Sequence, residues 1–498
     1  MATPGHVHDH DSGEGLLSVD EARGRVLSII KPLQPLALPL ADSYGCVLAE
    51  SLVAERDIPD FASSAMDGFA VRSSEIASAS TTSPVELRVV GRAMIGERPE
   101  GTVGGGEAFA IATGAPVPAG ADTIAPIEIC EVVGGNVRIL APSIEGKHIR
   151  PSGEDVRAGE TLVQAGRRLQ APELGLLATA GFAHPLVHPR PRVVVLSTGD
   201  ELIPPSVAPE YGQVRDSNAY LLFAAIREAG AVPTLAGIVP DDVDAFKEVV
   251  FSHLTQADAF ISSGGVSVGE RDVVKAAFFR RGEVDFYRVA MQPGMPQGFG
   301  EVEGKPYFGL PGNPVSVFVS FETFIRPALM KMMGRRQLFR PEVTATLEED
   351  VTGPAGKTQF ARVRVRRTKD GWIATPTGGR GSNLIATVAK ANGLAIVPPG
   401  TETARTGSQV KVILFRSKSL MLLSDDPLHE GTRKAAHNTT RAASNSQPTN
   451  QPPSVRIPGP TQDVGLGLER STEAIGLQTP HASSLRRAET RSSTHSAT

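Results

Sequence analysis

The sequence predicts a multidomain α/β and β protein: a central three-layer α/β sandwich with a parallel-rich sheet, a β-rich inserted domain, a C-terminal β domain and disordered tails. Three observations predict it. Residues 191–334 alternate apolar strand-like runs with helical ones at spacings that suit parallel βαβ units. Residues 85–140 and 341–415 are short β-rich runs cut by glycines and prolines. The last 82 residues, 417–498, hold 12 Ser and 10 Thr and no Phe, Tyr or Trp. Such a segment cannot offset its ordering entropy and reads as disordered.

In order along the chain, Met1 to Gly15 is polar and reads as a second disordered end and not as a secretory signal. His6, His8 and His10 beside Asp9 and Asp11 could suit a metal, but nothing rigid positions the imidazoles. Leu16 to Ile30 reads as a helix: Ser18 can cap it, Glu21 completes a capping box, and Val19, Ala22, Val26 and Ile29 share a face. Strands are expected at Leu87–Val90, Ala108–Ile111, Thr123–Ile129 and Val137–Leu140, then a helix at Pro172–Ala180. His184 and His188 stand four apart, but Pro185 and Pro189 favour a turn.

The α/β block reads as strand Val193–Ser197, helix Ala219–Glu228, strand Thr234–Val239, helix Val243–Leu254, strand Ala259–Ser263 and helix Arg271–Phe279. Strands Val284–Ala290 and Tyr307–Leu310 and helix Val315–Met333 complete it. Arg362–Arg366, Trp372–Thr375, Ala395–Val397 and Val410–Leu414 are the strands expected of the last domain. The resulting division is a discontinuous domain of residues 16–57 plus 141–190, an inserted domain 58–140, an α/β domain 191–335 and a β domain 336–416.

Over 498 residues, 50 Lys plus Arg against 54 Asp plus Glu leave a net charge of −4, without the basic surplus of a nucleic-acid binder. No run approaches the ~18 uncharged apolar residues of a membrane span. Two cysteines, Cys46 and Cys130, exclude a disulfide framework or a Cys-rich zinc site and suit the cytoplasm; both read as small core residues. No Gly-x-x-x-x-Gly-Lys-Ser/Thr, Gly-x-Ser-x-Gly or His-Glu-x-x-His motif occurs, which argues against P-loop, serine-elbow and zincin chemistry.

In a parallel sheet, ligands sit beyond the carboxyl ends of the strands. Three turns fall there: Thr198-Gly199-Asp200-Glu201, Gly264 to Asp272, and Pro311-Gly312-Asn313-Pro314-Val315-Ser316. Gly264 and Gly265 let backbone N–H groups approach an anion such as phosphate. Asp200, Glu201 and Asp272 would repel that phosphate unless a hard cation intervenes, and Mg²⁺ bound by carboxylates and phosphate oxygens resolves the conflict. Taken one at a time, each turn also suits plain strand-to-helix packing; three at one rim favour a phosphate-and-metal site.

These motifs resemble the molybdopterin molybdenumtransferases, of the bacterial MoeA type and the matching domain of plant Cnx and animal gephyrin. The resemblance covers about residues 16 to 415. It rests on Ser64 to Ala70, Ala112 to Pro118, Gly153-Glu154-Asp155, Ser197 to Leu202, Asp216-Ser217-Asn218, Ser262 to Asp272 and Gly309 to Ser316. It implies an elongated four-domain homodimer that inserts molybdate into adenylylated molybdopterin and releases AMP, with Mg²⁺ at Asp200, Glu201 and Asp272. It further implies substrate contacts at Gly264, Gly265, Ser267, Asp241, Arg288 and Ser316, and at Asp67, Thr113 and Asp155 from the first two domains of the partner subunit. Arg362 and Ser382 are implied as an oxyanion-binding pair, and the adenylyltransferase of the same pathway as a partner. The chain departs from the family's Lys-Pro-Gly-Lys-Pro with Gln292-Pro293-Gly294-Met295-Pro296, and has Ala62 where Asp is frequent. An alternative role, a catalytically weakened paralogue acting as a scaffold in cofactor assembly, follows from the missing lysines.

Overall fold

The computed structural model describes residues 16–266, 273–278 and 284–416. Ser267, Asp272, the His-rich N-terminus and the Ser/Thr-rich tail lie outside the described residues. Helix α1 (Val19–Ile29) starts as its sequence dictates: Ser18 Oγ accepts the Glu21 N–H at 3.2 Å, and the Glu21 carboxylate accepts the Ser18 N–H at 2.9 Å. Two neighbouring segments, 38–54 and 162–187, build a small domain from two- and three-residue strands and α2 (Ala171–Thr179), around Cys46, Leu48, Leu169, Leu177 and Val187. His188 ends the strand Leu186–His188, where a turn was expected, and its Nδ1 lies 2.8 Å from Leu33 O.

The inserted domain is a six-stranded sheet of β1 (Gly68–Val71), β2 (Val85–Ala93), β3 (Glu107–Ile111), β4 (Thr123–Pro126), β5 (Cys130–Val133) and β6 (Asn136–Ile139). The order is β4-β1-β3-β2-β6-β5, with only β2 and β3 parallel. The expected strand Thr123–Ile129 divides at Pro126, because Ile127–Ile129 form a 3₁₀ turn. The inserted domain keeps its chain to Arg150: Ile149 and Arg150 pair with Ser64 and Ser63 in a separate two-stranded ladder, and Ser143 Oγ bonds Thr123 Oγ1 at 2.8 Å.

The α/β block contains β7 (Arg192–Thr198), β8 (Val232–Val239), β9 (Ala259–Ser263), β10 (Val284–Arg288), β11 (Met291–Gln292), β12 (Pro296–Val302) and β13 (Lys305–Leu310). Its sheet runs β8-β7-β9-β13-β12-β10, with the first four strands parallel and β12 reversed, antiparallel to both β13 and β10. Strand β12 went unforeseen because Pro296, Gly298 and Gly300 depress β propensity. Packing supplies the reason for one of them: a Cβ on Gly298 would stand 3.2 Å from the Phe286 ring and 3.5 Å from Gly309 Cα. Helix α3 (Asn218–Ala229) covers one face of the sheet, α4 (Val243–Ser252) and α5 (Val273–Phe278) the other. The helix expected at Val315–Met333 is α6 (Pro314–Ser320), a π-helical turn at Phe321–Ile325, and α7 (Arg326–Met332).

Strand β11 leaves this block to join the last domain. There β14 (Glu342–Leu347), β15 (Thr358–Thr368), β16 (Gly371–Pro376), β17 (Gly393–Val397) and β18 (Gln409–Leu414) close into a ring, since β15 pairs with both β16 and β17. Helix α1 packs on β12, α7 and the π turn; Val19, Ala22 and Val26 share one core with Val195, Ile261 and Phe324. It thus packs with the α/β block, from which the sequence division separates it. Amphipathicity shows that a helix face is buried but not against what.

Within that core Glu322 is 3% exposed and pairs with Arg340 at 2.9 and 3.0 Å. Burial and the neighbouring Arg340 charge bring the Arg326 guanidinium down to about 10. Removing one partner of a buried pair strands the other charge and costs about 3–5 kcal/mol, whereas replacing both is often neutral. Arg340→Ala should therefore lower the urea midpoint strongly, and Glu322→Gln with Arg340→Met should recover most of the loss.

Candidate functional site

The parallel strands β7, β9 and β13 are neighbours in register (Ser197 with Ser263, Ser263 with Leu310), so their carboxyl ends form one rim. After β7, Asp200 and Glu201 are exposed. Asp200 Oδ1 accepts the N–H of Asp241, which follows β8, at 3.2 Å. The Glu201 carboxylate folds over Gly199, where any Cβ would stand 2.7 Å from both its oxygens.

After β9, Gly264 (φ +95°) and Gly265 (φ +66°) turn back against β7. A Cβ on Gly264 would lie 2.4 Å from Thr198 O, and one on Gly265 2.8 Å from Val274 Cγ2. Their glycine identity is thus demanded by packing. The Gly264 N–H donates to Leu310 O at 3.0 Å, so that donor is engaged by the sheet. Several hydroxyls here, Ser197 Oγ, Thr198 Oγ1 and Ser262 Oγ, are buried without a partner among the described residues.

After β13, Ser316 is 4% exposed in the first turn of α6. The Val315 N–H, one of the donors a helix start leaves open, is taken by Ser382 O at 3.0 Å. Ser316 and Ser382 are therefore brought together from different domains. Arg362 is 4% exposed; its Nε donates to Thr387 Oγ1 at 3.1 Å and its Nη2 to Gly379 O and to Gly381 O, the latter at 3.4 Å. It fixes the loop that carries Ser382, and burial alone holds its pKa below the usual arginine range.

Gln292 pairs in parallel register with Gln359, whose amide is buried and unpartnered. Alternation along β15 puts Gln359 with Ala361 and Val363, which pack inside the ring, and Arg362 with Phe360 on the other face. Gln292 and Arg362 accordingly lie on opposite faces of this ladder. Gln297 Nε2 ties the loop down through Gly294 O at 2.5 Å and Ser320 Oγ at 2.6 Å, and Met295 Sδ lies 4.0 Å from Arg288 Nη2.

In the inserted domain Asp67 Oδ1 accepts the Thr113 N–H at 2.8 Å, so these two expected residues do meet. Asp155 is exposed and donates its N–H to Ile58 O at 3.1 Å; beside it Asp57 takes the Ala158 N–H and the Ser152 hydroxyl, which lower its pKa. All these bonds are local to the first two domains. Among the described residues no group of three His, Cys, Asp or Glu is arranged to hold a metal. Asp200 and Glu201 are nonetheless hard oxygen donors, and Mg²⁺ bound to phosphate needs only one or two carboxylates.

One residue the site reasoning passed over is Asn218, the first of α3. Its Nδ2 donates to Ser263 Oγ at 2.7 Å and to Gly312 O at 2.6 Å. Its place in the Asp216-Ser217-Asn218 run was the available signal.

The family profile described as "MoeA N-terminal region (domain I and II)" matches residues 17–181, "Probable molybdopterin binding domain" matches 194–331, and "MoeA C-terminal region (domain IV)" matches 344–415. A protein named molybdopterin molybdenumtransferase 2 from Mycobacterium tuberculosis is 41% identical over 401 residues, covering 79% of this chain and 98% of its own. A molybdopterin molybdenumtransferase of Staphylococcus aureus is 33% identical over 402 residues, covering 80% and 96%. The crystal structure of a molybdopterin biosynthesis MoeA protein from Pyrococcus horikosii aligns with a TM-score of 0.68 at 32% identity, covering 80% of this chain and 99% of that one.

Neither cysteine serves this site. Burial pushes the Cys130 thiol up to about 12, with Glu128 adding to it, and raises Cys46 as well. Because the thiolate is the reactive form, the native protein should resist iodoacetamide at pH 8, while the urea-unfolded chain should take up two labels, as mass spectrometry would count.

Proposed function

The chain belongs to the molybdopterin molybdenumtransferase (MoeA) family, and from that membership we propose that it inserts molybdate into adenylylated molybdopterin with Mg²⁺-dependent release of AMP. The observation that carries the reading is the rim: two exposed carboxylates end β7, and the C-terminal domain delivers Ser382 to the first turn of α6 beside it. Phosphoanhydride cleavage asks for positioning and charge neutralisation, not a protein nucleophile, which agrees with two cysteines whose pKa burial raises.

In this reading Asp200 and Glu201 hold Mg²⁺, with Asp272 as their expected third member outside the described residues. Bound there, the ion would supply charge neutralisation to the pyrophosphate oxygens. Asp241 orients Asp200 through its N–H. Arg362, bonded to carbonyls and a hydroxyl, keeps its positive charge for an oxyanion, and Ser382, Ser316 and Arg288 complete that side. Asp67, Thr113 and Asp155 face the cleft of the partner subunit in a cytoplasmic homodimer, and the pathway's adenylyltransferase hands over the substrate. Gln292 and Met295 favour a second reading, a weakened paralogue acting as a scaffold, because neither carries the charge of a lysine.

Incubation with adenylylated molybdopterin, Mg²⁺ and molybdate, scoring AMP release and cofactor formation separately, tests the reading. Glu201→Gln should cut AMP release on the order of 100-fold, the upper range for disturbed metal sites, with an unchanged melting temperature. Full metal-dependent turnover in that variant would remove the acids from the site. A charged hydrogen bond nets about 1.5–3 kcal/mol against about 0.5–1.5 for a neutral one. At 1.4 kcal/mol per tenfold, the lost charge at Met295, beside Arg288, would weaken molybdate by roughly one to two powers of ten. Met295→Lys should therefore lower the molybdate concentration needed for half-maximal cofactor formation, with AMP release little changed, whereas Gln292→Lys, on the face away from Arg362, should not. An unchanged molybdate dependence would separate this loop from the oxyanion.

A further inference from the structure

The rim turns come from distant parts of the chain, and one side chain spans two of them. Ser263 is the last residue of β9, and Gly312 lies between β13 and α6; Asn218 Nδ2 donates to both. The Gly312 contact fixes the amide's orientation, because a carbonyl oxygen only accepts, so the NH₂ group must face it. That leaves Asn218 Oδ1 buried and without a partner among the described residues, as is the Oγ of Ser197, the register neighbour of Ser263. The two donor bonds therefore hold the side chain in place against the cost of an orphaned acceptor. The Gly264 N–H to Leu310 O bond aligns β9 and β13 up to their last residues. Asn218 carries that alignment outward into the turns.

We propose that Asn218 is a positioning residue for the transfer reaction: it locks the turn after β9 to the turn before α6, and so sets the spacing between the backbone at Gly264–Gly265 and the first helical turn that carries Ser316. The proposal rests on the reading of the rim as the seat of adenylylated molybdopterin. Misplacing reacting groups by about 1 Å costs about 100-fold in rate, and no other side chain among the described residues is recorded bonding both turns.

Asn218→Asp keeps the shape of the side chain, places a negative charge at the start of α3 where the helix favours it, and loses both N–H donors. It should lower kcat for AMP release by about tenfold to a hundredfold, leaving the molybdate dependence and the melting temperature as they are. Asn218→Ala repeats the test should the aspartate variant not fold. Because Asn218 acts partly through Ser263, adding Ser263→Ala to Asn218→Ala should cost little more than Asn218→Ala alone. The amides of Gly264 and Val315 should exchange faster with deuterium in either Asn218 variant. Wild-type kcat in both variants, or a fully multiplicative loss in the double variant, overturns the proposal. Absence of AMP release from the wild-type protein would instead defeat the functional reading; the exchange measurement then decides the lock, and unchanged protection at Gly264 and Val315 overturns it.

Discussion

One continuous apolar core is the constraint on which the other parts depend. It takes in one face of α1, the α3-covered face of the sheet, nearly all of α6 to α7, and Phe360, Leu394, Ile413 and Phe415 of the C-terminal ring. Phe318 of α6 meets Phe415 edge to face, with ring centroids 4.9 Å apart. Burial of this kind is roughly proportional to the apolar area removed from water, and such interiors pack too densely to slide freely. The ring is therefore held against the sandwich by its aromatic residues, and the bond from Val315 to Ser382 follows from that seating.

The rim built on this frame separates its charges by environment. Asp200 and Glu201 stand in solvent on a turn that only glycine at 199 permits, free to meet a cation or a charged substrate. Arg362 is enclosed, and its direction is dictated by carbonyls of the loop it supports. Opposite charges are thus presented by opposite means: the acids by exposure, the arginine by a fixed loop.

Much of this was legible in the sequence where the physics is local. Ser18 and Glu21 marked the start of α1, and the strand–helix alternation placed the ends of β7, β9 and β13 on one edge. The order of short motifs from Ser64 to Ser316 was enough to suggest the family. Long-range contacts were not legible. Nothing near Val19 says that it shares a core with Phe324, and nothing near Gly264 says that Thr198 O stands where its Cβ would be. Anion approach and close approach of backbone both call for glycine, so residue type alone does not separate the two roles at Gly264 and Gly265. Asn218 sits in a run whose neighbour Asp216 explains itself as the acceptor of the Ala219 N–H, so its reach to Ser263 and Gly312 was hidden until those turns were folded.

Strand β11 gives the Gln292–Met295 loop an unusual status. One end is a rung of the C-terminal ring through Gln359, and the other runs at once into β12, which is registered along β13. Between the two anchors only residues 293–295 are unpaired by strands, and Gln297 grips the middle one. A deletion here would strain one anchor or the other, and a one-residue slip of either strand would turn its side chains to the opposite face. Side-chain exchange at constant length, by contrast, leaves both anchors in place.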